Sequence, residues 1–347
     1  MSVLSVHAKY MAQALRSEAE EYETFHEFFE CWLSEQSRHL EELVLASKES
    51  ERLQEQGHDD HRPVTQQEVD ERILRPKIAE VIEHYEQYYH VKSLWAENDV
   101  LLMFNQSWRS SLEDAFLWIG GWRPSIAFHL LYSKSGLQLE ARLDELRQGL
   151  TVNDLGGLSY TQLNQVNELQ RGTIREEKEI TEKLAKQQEK VADSLMVELS
   201  HAVTESIREG NQAGPIVADE RIEATLAVKE EGFTEIIKRA DDLRLKTLRE
   251  LINTLTPSQG VHFLIAAAEL HMRLHEWGKK RDARSLRHHQ AGDAGARVLV
   301  EGGLEKTWLI AAEYVEFSVG DCTNVQPLYA SYHVPSPFSG NRTLSRD

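Results

Sequence analysis

The stretch Trp108–Ser125, WRSSLEDAFLWIGGWRPS, constrains what this chain can fold into more than any other. It holds Trp108, Trp118 and Trp122, three of the chain's seven tryptophans, together with Phe116. Rings of that size dominate the energetics of whatever buries them. Leu112, Ala115, Phe116 and Ile119 recur at i, i+3, i+4, i+7, the spacing of an amphipathic helix. Ser110 or Ser111 can cap its start, and Glu113 and Asp114 suit the positive end of its dipole. Gly120 and Gly121 are expected to stop it, because glycine takes the left-handed C-cap conformation without steric cost. Pro124 can open the next helix, with Ile126, Leu130 and Leu131 as its buried side. The stretch therefore reads as an aromatic helix, a glycine corner and a second helix. It is either a core corner held together by Trp118 and Trp122 or a pocket lined by the same rings.

Helical periodicity continues on both sides. Tyr22 to Leu45 puts Phe25, Phe28, Phe29, Trp32, Leu33, Leu40, Leu43 and Val44 on one face. Gln66 to Leu94 repeats the pattern, with Pro76 kinking it or marking its true start. Val100 to Phe104 is a short apolar helix. Leu158 to Ile207 reads as one long helix or two with a break, with Ile180, Leu184, Val191, Leu195 and Leu199 at four-and-seven spacing. Ile222 to Leu255 is another helix. Thr256, Pro257 and Gln259 form the cap of the last one, and Gly278 is expected to end it. The fold class expected is all-α, a multi-helix bundle with long amphipathic helices.

Several motifs in this frame are similar to the plant Delay of Germination domain. That domain occurs alone in seed-dormancy regulators and as the C-terminal half of TGA-type bZIP transcription factors. The central likeness is Trp108-Arg-Ser-Ser-Leu-Glu-Asp-Ala followed by Phe116-Leu-Trp118-Ile-Gly120-Gly121-Trp122-Arg123-Pro124-Ser. F-F-E-C-W-L-S-E-Q from Phe28, D-V-L-L-M-F from Asp99, the segment from Leu163 to Glu177, and Thr256 to Gly278 also resemble it. The likeness runs from about Tyr22 to Gly278. It implies an N-terminal segment at 1–21, the domain at 22–278, a basic linker at 279–296 and a variable tail at 297–347.

Composition narrows the function. Net charge is −18, against a whole-molecule nucleic-acid binder, which normally presents a basic face. Two cysteines, Cys31 and Cys322, give no disulfide framework or cysteine zinc cluster. No run of eighteen apolar residues and no signal peptide are seen, so the chain is read as intracellular without a membrane span. P-loop, dinucleotide and nucleophile-elbow motifs are missing, and the chain reads as a non-enzyme. His58-Asp-Asp-His61 is either a solvated loop or a divalent-metal site. Lys279, Lys280, Arg281, Arg284 and Arg287 form the one concentrated basic stretch, a nuclear-localisation or acidic-partner element or a solvated tail.

His271 and His275 are the ligand-like pair. Their i, i+4 spacing sets both imidazoles on one helix face beside Phe263, Ala267, Leu270, Leu274 and Trp277, with His262 nearer the start. They are either hydrogen-bonded core histidines or axial donors. The stand-alone members of the family bind haem, so the resemblance implies haem as cofactor, at these two residues. It also implies a partner: a type-2C protein phosphatase of abscisic-acid signalling, or for a TGA-like role a transcriptional coactivator. A homo-oligomer and a nuclear, in part cytoplasmic, location go with it. No basic helix followed by leucine heptads is present, which separates the chain from the TGA factors and puts direct DNA contact in doubt.

Overall fold

The computed structural model describes residues 24–56, 65–141, 154–208 and 215–293. His58 to His61, Cys322 and the tail from 297 lie outside them. Every regular element among the described residues is helical, so the all-α expectation holds. In chain order these are α1 (Phe25–Gln56), α2 (Gln66–Val69), α3 (Arg75–Asn98), α4 (Val100–Phe104), α5 (Ser111–Asp114), α6 (Ile126–Ala141), α7 (Tyr160–Glu189), α8 (Ser194–Arg208), α9 (Pro215–Thr254) and α10 (Pro257–Asp293).

The aromatic face expected on α1 is real. Phe25, Phe28, Phe29, Trp32, Leu33 and Leu43 are all buried, and α1 runs eleven residues past Leu45 into the polar segment. Pro76 marks the true start of α3, in its first turn. A π-helical turn at Asp70–Leu74 joins α2 to α3, and Pro76 enters at the first turn of α3. Proline lacks an N–H and its ring crowds the carbonyl four residues back; a widened turn absorbs both. The long helix after Leu158 does break, at a 3-10 turn over Lys190–Ala192. Its four-and-seven spacing is not a continuous seam, since Ile180 and Leu199 are buried while Val191 and Leu195 are exposed. The Thr256 cap forms as expected: Gln259 N donates to Thr256 Oγ1 at 3.3 Å and Thr256 N donates to Gln259 Oε1 at 3.0 Å.

Two apolar clusters make the core. The first gathers Phe25, Phe29, Trp32, Tyr88, Tyr89 and Trp108 with Ile236, Ile237 and Leu243 of α9. The second gathers Leu43, Val81, Phe128, Leu131, Leu251, Phe263 and Leu264. Tyr85 packs against both.

Between them the Trp108–Ser125 stretch departs from expectation. The aromatic helix stops after one turn: α5 ends at Asp114, and Phe116 is 59% exposed instead of buried. Trp118 and Gly121 instead form an antiparallel bridge, with Trp118 N donating to Gly121 O at 2.8 Å. Ile119 (φ 46°) and Gly120 (φ 66°) sit at the tip, both left-handed. So Gly120 and Gly121 are hairpin residues, not a helix C-cap. Pro124 lies in the turn before α6 rather than opening it, and α6 buries Ala127, Phe128 and Leu131 while Ile126 is exposed.

The reason is electrostatic. Four carbonyls of this turn are taken by buried cations. Lys92 Nζ donates to Gly120 O at 2.7 Å and to Asp241 Oδ1 at 2.9 Å. Arg244 donates to Trp122 O at 2.6 Å, to Ile119 O at 2.9 Å, and to Trp118 O and Asp241. Gln106 Nε2 reaches Gly120 O at 2.8 Å. A helix would have turned those carbonyls inward on itself and left both cations unsatisfied. Burial lowers the Lys92 ammonium to about 8, with Asp241 opposing the fall, so it remains charged at neutral pH. The glycines follow from this clamp: a Cβ on Gly121 would stand 2.8 Å from Arg244 Cζ, and one on Gly120 2.8 Å from Met103 O.

Charge counting separates two substitutions. Asp241→Asn leaves two buried cations with no counter-charge and is expected to cost about 3–5 kcal/mol. Lys92→Met leaves the neutral Asp241–Arg244 pair and should cost less. Thermal melts of both variants check the order. Gly121→Ala should destabilise by about 1–3 kcal/mol through overpacking. Gly136→Ala, in α6 with nothing within 4 Å of the added Cβ, should stabilise by about 0.5–1 kcal/mol.

Candidate functional site

A cavity of about 200 Å³ opens where the two clusters meet. Phe29 and Trp32 of α1, Tyr85, Tyr88 and Tyr89 of α3, Leu130 of α6, and Phe263, Ala267, Leu270, His271 and Leu274 of α10 line it. Arg109, Glu113, Phe116, Leu117 and Trp122 close it from the signature stretch. The wall is apolar, with a few polar groups converging at one end, as small-molecule pockets are built. Phe116 and Leu270, 59% and 45% exposed, stand at its mouth.

The polar end is organised by Glu113. Its carboxylate accepts from Ser110 N at 2.9 Å, Ser110 Oγ at 2.6 Å and His275 Nδ1 at 3.0 Å. Burial alone would raise this carboxyl, but the hydrogen bonds from His275 and Ser110 prevail and hold it down to about 2. Because Glu113 accepts, His275 Nδ1 donates; its Nε2 is buried and has no hydrogen-bond partner. Arg109 lies over the Phe29 ring, 5.4 Å from its centroid, and donates to Gln106. His271 lines the cavity itself, its ring 5.7 Å from that of Trp32. Burial, with Arg109 adding to it, lowers His271 to about 4, so it is neutral at physiological pH. The Tyr85 hydroxyl accepts from Gln36 and is pushed up to about 12 by burial.

The structure thus sorts the residues singled out in the sequence. His271 is in the cavity wall, whereas His275 is behind it, held by Glu113. Trp122 is in the wall and donates to Tyr89 Oη at 2.8 Å. Phe116 is at the mouth. Trp118 donates to Thr181 Oγ1 at 3.0 Å and carries Arg244 over its ring. Trp108 is buried among Phe25 and Phe29. Arg123 and the backbone N of Ser125 both bind Glu177 of α7, at 2.8 and 2.6 Å, and Pro124 between them is buried.

Gly278 does not end the last helix. α10 continues to Asp293, and a Cβ at 278 would fall 1.9 Å from Ser110 Oγ. Its glycine allows α5 to seat on α10, where Ser111 N donates to Asp282 at 2.9 Å and Lys279 pairs with Glu30 at 2.7 Å. Lys279, Lys280, Arg281, Arg284 and Arg287 therefore lie on α10. Sequence reading missed Lys92, Asp241, Arg244 and Arg109 as partners of this site. Lys92 inside an otherwise apolar face of α3 was the one visible signal.

These features define a helical protein built around a tryptophan–glycine hairpin beside an apolar pocket. The profile of the DOG1 family, described as seed dormancy control, matches residues 53–133. Protein DOG1-like 3 of Arabidopsis thaliana is 30% identical over 258 residues, 72% of this chain and 82% of the relative. Protein DOG1-like 4 of the same plant is 30% identical over 75% of this chain and 94% of its own length. The chain belongs to the DOG1 seed-dormancy-control family. Arabidopsis Transcription factor TGA2 is also similar, 30% identical over 58% of this chain and 52% of its own length.

Acid should loosen this region. An unfolded histidine takes its proton near 6.5, but His271 resists until about 4. Its stabilising contribution is whole above pH 6.5 and is lost as pH falls to about 4. Glu113 adds a second contribution, whole above its ordinary 4.5 and lost as pH falls towards about 2. At about 1.4 kcal/mol per unit, His271 alone accounts for about 3 kcal/mol. The drop in melting temperature between pH 7 and pH 4 should shrink in His271→Phe.

Proposed function

We propose that this chain is a non-enzymatic regulator of seed dormancy or of transcription that acts in the nucleus by binding a signalling protein. The observation that carries this is the likeness to DOG1-like proteins over most of the chain, with the signature stretch spent on structure and a pocket rather than on a nucleophile and base. A type-2C protein phosphatase of abscisic-acid signalling is the partner put forward, and a transcriptional coactivator is the counterpart for a TGA-like role. The full chain, immobilised, should retain the phosphatase. It should not retain duplex DNA with the steep salt dependence of phosphate contacts. DNA retention without phosphatase retention reverses the ranking. The oligomeric state of the free chain is read in the same preparation by light scattering.

We further propose haem, held at this pocket, as the ligand through which such binding is tuned. The donor set fits: His271 is a neutral imidazole in an apolar wall, and the Glu113-held His275 has the carboxylate–histidine arrangement that orients metal-bound imidazoles. Bound haem would supply a redox- and gas-sensitive iron. A cavity of about 200 Å³ is below the ~300–1,000 Å³ of pockets that enclose drug-sized ligands, so the ring would extend past the mouth at Phe116 and Leu270. His271 would hold the iron, and His275, held by Glu113, would position the wall behind it. Haemin titration followed by the Soret band should show loss of tight binding in His271→Ala and a smaller change in His275→Ala. Unchanged spectra in both variants would place haem elsewhere.

A further inference from the structure

We propose that His39, Glu42 and Glu80 form a zinc site that cross-braces α1 and α3, on the far side of Trp32 from the pocket. Each offers one ligand atom, and the three atoms lie within 4.8 Å of one another. His39 is 8% exposed, and no hydrogen bond from a described residue reaches its imidazole. A neutral imidazole keeps one ring nitrogen as an acceptor, and here it stands beside two carboxylates. Its neighbour His84 stacks with Trp32, lies 4.8 Å from His39 centroid to centroid, and has a buried, unpartnered Nε2.

The centre between the carboxylates already holds a cation. Lys77 Nζ donates to Glu42 Oε2 at 3.0 Å and to Glu80 Oε2 at 2.7 Å, and Arg38 takes the other oxygen of Glu42 at 2.8 Å. The Lys77 side chain is 33% exposed, so it can swing into solvent and leave both oxygens to a divalent ion. One imidazole and two carboxylates neutralise Zn²⁺ and suit its borderline softness, whereas Mg²⁺ and Ca²⁺ take oxygen ligands. Zinc bonds of about 2.0–2.2 Å require the three atoms to close in by roughly 1 Å, which the half-exposed glutamates can supply.

Because a lysine occupies the centre, two substitutions should move affinity in opposite directions. Zn²⁺ alone is titrated into the full metal-free chain by calorimetry, and Co²⁺ is used to read four-coordinate geometry from its visible bands. Lys77→Met should bind Zn²⁺ at least tenfold tighter than the parent. Glu80→Gln and His39→Gln should each bind at least tenfold weaker and lose the cobalt bands. If His39→Gln does not fold, Lys77→Met against Glu80→Gln still decides. Unchanged or weaker binding by Lys77→Met overturns the proposal. So does a loss of binding confined to the double variant His58→Ala with His61→Ala, which would place the metal on that loop.

Discussion

Three charges buried in the middle of a helical bundle fix the rest of this fold. Lys92, Asp241 and Arg244 are each at most 5% exposed, and they carry one net positive charge. A bare excess charge at that depth is costly, and the protein meets it with backbone carbonyls of a five-residue hairpin. The hairpin can offer its carbonyls only because Ile119 and Gly120 take left-handed backbone and Gly121 lets the guanidinium lie against it. From that point geometry propagates outwards. Trp122 is aimed at Tyr89 and the pocket, Trp118 at α7, and Arg123 at Glu177. The Trp118–Trp122 string is thus the backbone half of an ionic lock.

Helices were legible because their signal is periodic and local. The face of α1, the short α4 and the Thr256 capping box were readable from spacing and residue type, whereas the break at Lys190–Ala192 was not, because the apolar spacing runs through it. The hairpin was not, because its cause is remote in sequence. Leu112, Ala115, Phe116 and Ile119 do have helical spacing, and nothing within the stretch announces that Arg244 will claim its carbonyls. Asp241 and Arg244 gave no signal, since a buried ion and an exposed one look alike one residue at a time. Gly278 misled for a related reason. Glycine after an amphipathic run is the usual stop signal, yet here it is a close-approach residue under Ser110. The histidine pair was found by its spacing, but its split into a wall residue and a supported one depends on Glu113, which comes from another helix.

The pocket and the ionic lock share Trp122, so they are mechanically joined. Glu113 ties the pocket end to α10, and Ser111 and Ser110 seat α5 on the same helix near Gly278 and Asp282. Whatever enters between Phe116 and Leu270 therefore presses on a turn whose carbonyls cannot move without unpairing a buried cation. The rim, where Phe116, Ile126 and Leu270 are exposed, is the part of the wall that the lock does not hold.

The order in which the chain leaves the ribosome gives the lock a further meaning. Lys92 and the hairpin emerge long before Asp241, 149 residues after Lys92. Until α9 arrives, the hairpin carbonyls have no guanidinium, and Trp32, Trp108 and Phe128 have only part of their covering. Domains are generally completed from the N-terminus during synthesis, and contacts so distant in sequence are slow to close. The nascent chain consequently carries these rings without the α9 part of their covering until residues 215–254 have been made.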